Sequence, residues 1–151
     1  MKRRMTAVLL ALIMALCVGI PAASAITDED MANAPELIPG EVATVNIATG
    51  SQYAYFKVVP EFSCQYTFYS TGSYDTVVYL YDASGTQTST NDDDGDEYNF
   101  KLVVTLTAGE TYYLGARIWG SSNTGSYPLY SEVHVPDDWT TVTPRDMYRA
   151  G

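Results

Sequence analysis

The sequence is poor in the residues that carry out chemistry. Its 151 residues include one histidine, His134, and two cysteines, Cys17 and Cys64. A Ser–His–Asp or Cys–His arrangement needs a base held beside a nucleophile, and a single imidazole is all there is to act as one. The sequence has no Gly-rich phosphate loop, no paired-cysteine metal motif and no His-x-x-x-His spacing. Carboxylates are plentiful, but they crowd into one segment, whereas a glycosidase sets two across a cleft. The expectation is a protein that is not an enzyme. Positive charge is also scarce: 8 Lys and Arg stand against 18 Asp and Glu, for a formal net charge of −10. Such a surface repels phosphate backbones and anionic lipid heads, so nucleic acid and the bilayer surface are excluded as partners. Long apolar runs are missing too, apart from one at the N-terminus.

That run follows Met1-Lys2-Arg3-Arg4 and extends from about Ala7 to Ile20. Pro21 ends it, and Ala23-Ser24-Ala25 offers the small residues that a signal peptidase reads. A helix rises ~1.5 Å per residue, so this run falls short of a bilayer core of ~30 Å. Residues 1–25 therefore read as a signal-peptide helix cleaved after Ala25. The expected product is secreted, either free outside the cell or loosely associated with the wall. Cys17 leaves with the signal. Leu16 before it is not the small residue that a lipid-attachment motif wants, so no lipid anchor is expected. Cleavage also removes Lys2, Arg3 and Arg4, leaving five basic residues against 18 acidic ones, a net charge of −13. Divalent cations and basic or neutral polymers suit such a surface. Cys64 remains alone, cannot form an intrachain disulfide, and reads as a small buried hydrophobe.

The mature part divides into three. Residues 26–40 form an acidic leader with two prolines and no sustained periodicity, expected to join the fold only in part. Residues 41–135 alternate short runs rich in Val, Thr, Tyr and Phe with Gly, Ser, Asn and Asp clusters, the pattern of strands and turns. Residues 136–151 are a polar tail. The strand runs are Val42–Ala48, Tyr53–Val59, Cys64–Ser70, Thr76–Tyr81, Glu97–Leu106, Thr111–Trp119 and Tyr127–Val135, with a weaker one at Thr86–Thr90. About eight strands at this spacing predict an all-β, antiparallel sandwich. Period-two alternation assigns the faces. Tyr98, Phe100, Leu102, Val104 and Leu106 are expected inward, with Asn99, Lys101 and Thr105 outward. Tyr112, Leu114, Ala116 and Ile118 are expected inward, with Tyr113, Arg117 and Trp119 outward. Val78 and Leu80 are expected inward, with Tyr79 and Tyr81 outward. No mature segment carries a helical period.

The stretches YDTVVYLYDASG (74–85), TNDDDGDEYNFKLVVTLTAGETYYLGARIWG (90–120) and GSYPLY (125–130) contain an ordered set of elements. Asp75 leads a strand that ends in Tyr81-Asp82, with Gly85 just beyond. The acidic turn Asp92–Gly95 comes next, then Leu106, Ala108-Gly109, Thr111-Tyr112-Tyr113 and Gly125-Ser126-Tyr127. This set resembles the bacterial pre-peptidase C-terminal domain family over roughly Glu41 to Val135. The resemblance implies a jelly-roll-like sandwich that trails secreted peptidases and serves secretion, targeting or substrate attachment. It also implies kinship with the collagen-binding domains of clostridial collagenases, where calcium stabilises the fold. No peptidase is present in this sequence.

Two features are candidate sites. The segment Asn91–Glu97 holds five carboxylates in six consecutive positions, and oxygen-ligated calcium would relieve their repulsion. The EF-hand register fails, because it puts Thr90 at loop position one and Lys101 at position twelve. A different site could combine Asp92, Asp93, Asp94 and Asp96 with Asp75. The alternative is a solvated acidic turn in which Asp and Gly serve the backbone. The second feature is the aromatic content, with 13 tyrosines and two tryptophans. Tyr79, Tyr81, Tyr113 and Trp119 are expected outward, where they would stack on sugar rings or grip a fibrous protein. The alternative is ordinary cross-strand pairing. The functional expectation is an accessory binding module for an extracellular polymer (matrix protein, cell wall or polysaccharide) or a secreted protein. A self-associating envelope domain and a carbohydrate-binding module are the other readings.

Overall fold

The computed structural model describes residues 25–136. The expected signal peptide up to Ser24 and the polar tail from Asp137 lie outside the described residues. Short β-branched and aromatic runs form eight strands: β1 (Val42–Ile47), β2 (Ala54–Val58), β3 (Cys64–Ser70), β4 (Thr76–Tyr81), β5 (Gln87–Asn91), β6 (Lys101–Leu106), β7 (Tyr112–Ile118) and β8 (Gly125–His134). They make two four-stranded antiparallel sheets, sheet one in the order β1-β8-β3-β6 and sheet two in the order β2-β7-β4-β5. Apart from the β4–β5 hairpin, each connection crosses from one sheet to the other. This is the strand order of a jelly roll. The expected antiparallel β-sandwich is the fold observed.

The core lies between the sheets. Sheet one contributes Val45, Tyr66, Phe68, Leu106 and Leu129, and sheet two contributes Val58, Val78, Leu80, Leu114 and Ile118. Along β7 the alternation is plain: Leu114, Ala116 and Ile118 are buried in the core, while Tyr113 and Arg117, on the alternate positions, are half-buried on the far side. This register is what apolar burial dictates, since a one-residue slip would move every inner side chain to the solvent.

Two expectations fail where turns replace strand. Tyr98, expected inward, is 64% exposed, and Asn99, expected outward, is 2% exposed. β6 begins only at Lys101, so the period-two face does not extend back to Tyr98. Asn99 is buried because its amide is fully engaged. It donates to the Gly72 carbonyl and to the Asp96 carbonyl, each at 2.9 Å, and its oxygen accepts from the Ser70 hydroxyl at 3.0 Å. Ser70 also bonds Thr76, whose hydroxyl oxygen accepts from the Phe100 amide. Buried polar groups persist when each finds partners. The backbone beneath is tight: a side chain at Gly95 would stand 2.5 Å from the Asn99 carbonyl oxygen.

The leader is more ordered than its sequence suggests. Helix α1 (Asp28–Asn33) starts with a capping box, in which the Thr27 hydroxyl accepts from the Asp30 amide at 3.1 Å and the Asp30 carboxylate accepts from the Thr27 amide at 3.2 Å. Six residues are too few for a period to show. Beyond α1, the Pro35 carbonyl accepts from the Lys57 amide and the Leu37 amide donates to the Lys57 carbonyl, both at 2.8 Å. The leader thereby covers the edge of β2, which would otherwise offer unpaired backbone groups. Ile26 and Leu37 are buried, and Ile26 and Met31 reach the turn at Gly85. The leader thus crosses the outer side of sheet two. Leu37→Ala is expected to cost about 2–5 kcal/mol in urea unfolding, as for truncation in a packed core. A change below about 0.5 kcal/mol, the usual range for surface sites, would place Leu37 outside the core.

Candidate functional site

The outer face of sheet two gathers most of the expected aromatic positions. Strand pairing sets Tyr55, Gly115 and Tyr79 in one row, and Lys57, Tyr113 and Tyr81 in the next. Gly115 is needed there, because a side chain would stand 2.9 Å from the Tyr55 ring and 3.1 Å from the Tyr81 ring. Its absence lets both rings settle over β7. Tyr53 and Tyr55 stack with centroids 5.8 Å apart and planes 8° apart, and Tyr79 meets Tyr53 at 5.6 Å. Tyr81 meets Tyr55 edge-on at 6.3 Å. The Arg117 guanidinium carbon lies 5.4 Å from the Tyr53 centroid and 5.9 Å from that of Trp119. Donating to the Gly120 carbonyl at 3.2 Å fixes this group in place. The result is a continuous ladder, Tyr81–Tyr55–Tyr53–Arg117–Trp119, with Tyr79 at its side. Ring quadrupoles attract the guanidinium between them.

The two ends of the ladder differ. At the leader end Tyr81 is 1% exposed, so the expectation that it is available outside is corrected. It does point away from the core, as alternation requires, but the molecule closes over it. Among the described residues its hydroxyl has no hydrogen-bond partner, and burial pushes its pKa well up. Tyr55 is pushed up to about 12, by burial first, then by the Asp30 carboxylate and by Tyr53. At the other end Trp119 is 53% exposed; Tyr79 along the way is half-buried, and so is Tyr113, which lies beside Tyr81 at the covered end. Tyr53, Tyr55 and Arg117 were not among the sequence candidates for this site. Only the β2–β7–β4 pairing brings them to the others.

The acidic segment is divided. The Trp119 amide donates to the Asp75 carbonyl at 2.8 Å, which sets Asp75 beside the exposed end of the ladder. Its carboxyl is held above the usual range by burial and then by Asp93 and Asp92. Asp94 accepts from the Asn91 amide and, with Asp96, borders sheet one instead. The five expected calcium ligands are therefore not drawn into one cage. Among the described residues no three His, Cys, Asp or Glu side chains form a group that could hold a metal ion.

No family model matches the sequence, and no curated protein matches it either. Among solved structures, the chain is similar to the pre-peptidase C-terminal domain of a collagenase from Bacillus anthracis. The identity is 11%, the match covers 66% of this chain and 94% of that one, and the TM-score is 0.54. A looser likeness, with a TM-score of 0.47, is to Aeromonas hydrophila PliG, a periplasmic inhibitor of g-type lysozyme; it is 14% identical and covers 67% of this chain and 95% of that one. The likeness is one of fold: two stacked sheets arranged as in that pre-peptidase C-terminal domain.

In this sandwich Cys64 and His134 sit on neighbouring strands, one residue out of register. They face opposite ways. Cys64 is buried in the core, where burial pushes its thiol pKa up. His134 lies on the outer side, its Nε2 2.8 Å from the Thr67 hydroxyl. The two cannot act as nucleophile and base. The raised tyrosines supply a testable consequence of the covered face. Tyr55 ionises near pH 10 when unfolded and about 12 when folded, so the folded state favours its neutral form. The stabilisation is complete below pH 10 and is lost as pH rises toward about 12. Urea midpoints are expected to fall across that window, with less of the fall in Tyr55→Phe. A flat profile would show that the phenol is not buried.

Proposed function

We propose that the chain is a secreted, non-catalytic attachment module, which holds an extracellular polymer or another secreted protein through the outer face of sheet two. One observation carries the reading: a fixed aromatic–arginine ladder that ends in a half-exposed tryptophan. Tryptophan, tyrosine and arginine are the side chains that dominate binding energy at interfaces. These are already immobilised by stacking, so little conformational freedom is left to lose when a partner docks. The opposed directions of Cys64 and His134 support the non-catalytic part. The fold likeness to a collagenase's pre-peptidase C-terminal domain agrees with an accessory role. No described helix is long and apolar enough to cross a membrane.

Trp119→Ala is expected to weaken retention on the bound polymer by about tenfold or more while leaving the melting temperature nearly unchanged. Screening the purified chain on collagen, cell wall and polysaccharide identifies that polymer. Unchanged retention in the variant would remove the ladder's open end from the binding face. Tyr81→Ala, by contrast, is expected to cost roughly 3–5 kcal/mol of stability, in the range for buried aromatics.

Calcium enters the same proposal as an accessory to the fold. Asp93 and Asp92 help hold the Asp75 carboxyl above its usual range, and although the three do not form a ready metal cage, a hard cation drawn to this corner would relieve that repulsion. Melting in calcium is expected a few degrees above melting in EDTA at equal ionic strength. Coincident curves would remove calcium from the description.

A further inference from the structure

The outer face of sheet one carries a second, separate feature. Strand pairing places Tyr130, Tyr69 and Lys101 side by side across β8, β3 and β6. Tyr69 and Tyr130 stack with centroids 5.0 Å apart and planes 12° apart. One face of the Tyr69 ring is thus covered by Tyr130. The other is turned toward β6, where an open cavity of about 230 Å³ lies between the sheet and the acidic turn. Tyr69, Lys101, Glu132, Asp94 and Asp96 are among the residues that line it. The Tyr69 hydroxyl donates to a Glu132 carboxylate oxygen at 3.1 Å, which fixes the ring's orientation.

We propose that this cavity is a binding site for a neutral saccharide unit of a glycan. The ring faces of a sugar carry C–H groups that pack on an aromatic ring, while its hydroxyls both donate and accept. The cavity offers the accessible part of the Tyr69 ring, carboxylates that accept, and an ammonium that donates. Pockets that orient a small ligand combine an apolar wall with a few placed polar groups in just this way. An anionic sugar or a phosphate would meet Asp94, Asp96 and Glu132 and be repelled. For a basic peptide, Lys101 stands among the carboxylates and opposes binding. A neutral polyol uses both signs of charge. The site lies on the opposite sheet from the ladder and does not depend on it.

Isothermal titration of the secreted chain tests this with short neutral gluco-, manno- and galacto-oligosaccharides. Matching uronic-acid oligosaccharides and an oligo-lysine peptide form the other arms. At least one neutral saccharide is expected to bind more tightly than any uronic acid. Tyr69→Ala, Lys101→Gln and Glu132→Gln are each expected to weaken it about tenfold. Glu29→Gln on α1, which makes the same charge change as Glu132→Gln far from the cavity, is expected to leave it unchanged. Lys101 is exposed, so its variant decides the matter even where Tyr69→Ala fails to fold. Three results would overturn the proposal. One is the absence of neutral saccharide binding at millimolar concentration. Another is loss of that binding in Trp119→Ala, which would move the site to the ladder. The last is oligo-lysine binding that Lys101→Gln strengthens and Glu132→Gln weakens, which would make the cavity a cation groove.

Discussion

Everything in this molecule depends on two sheets that exclude water from each other's inner faces. Tyr66, Phe68 and Phe100 fill the space against Val58, Val78 and Leu114, and each is essentially inaccessible. Burial of this kind scales with apolar area and has no direction of its own. Direction comes from the strands, whose period of two sends every second side chain inward. The same rule therefore determines what is left for recognition. Side chains between the core positions must point outward, and they form two broad faces on opposite sides of the sandwich.

Polar groups also enter the interior, at the end of the molecule where the acidic turn folds back. Ser70, Thr76 and Asn99 bond one another and the adjacent backbone, so the turn before β6 is tied to the ends of β3 and β4. Losing one member would leave the others buried without partners, and such losses cost more than the bond itself contributes. This network explains how a segment with five carboxylates in six positions holds a defined course beside an apolar core. It also divides the carboxylates between the two outer faces. The charge is concentrated in the sequence but distributed in space.

Most of the architecture was legible in the sequence, because strands of this kind announce themselves by alternation and by Gly, Asn and Asp between them. Phe100, Leu102 and Leu106 were placed correctly on that basis. The pattern failed at Tyr98 and Asn99, where turn geometry overrides alternation and an amide gains enough partners to be buried. It also missed α1, since one and a half turns of helix leave no periodic trace. The site was less legible. Alternation showed that Tyr79, Tyr81, Tyr113 and Trp119 point away from the core, yet it could not show that another part of the chain closes over Tyr81. Nor could it bring Tyr53, Tyr55 and Arg117 to Trp119, or Tyr69 to Lys101. Those neighbours follow from which strand lies beside which, information that a jelly roll distributes across the whole chain.

Gly115 concentrates several of these dependencies in one missing side chain. The Tyr55 and Tyr81 rings rest on bare backbone, and the remaining ladder takes its spacing from them. A single added methyl group would lift both rings while leaving the apolar interior untouched. The aromatic ladder would be tilted and discontinuous, and the buried Tyr81 ring would lose its seat. One small substitution on a strand that otherwise looks purely structural would thus reach across the whole outer side of sheet two.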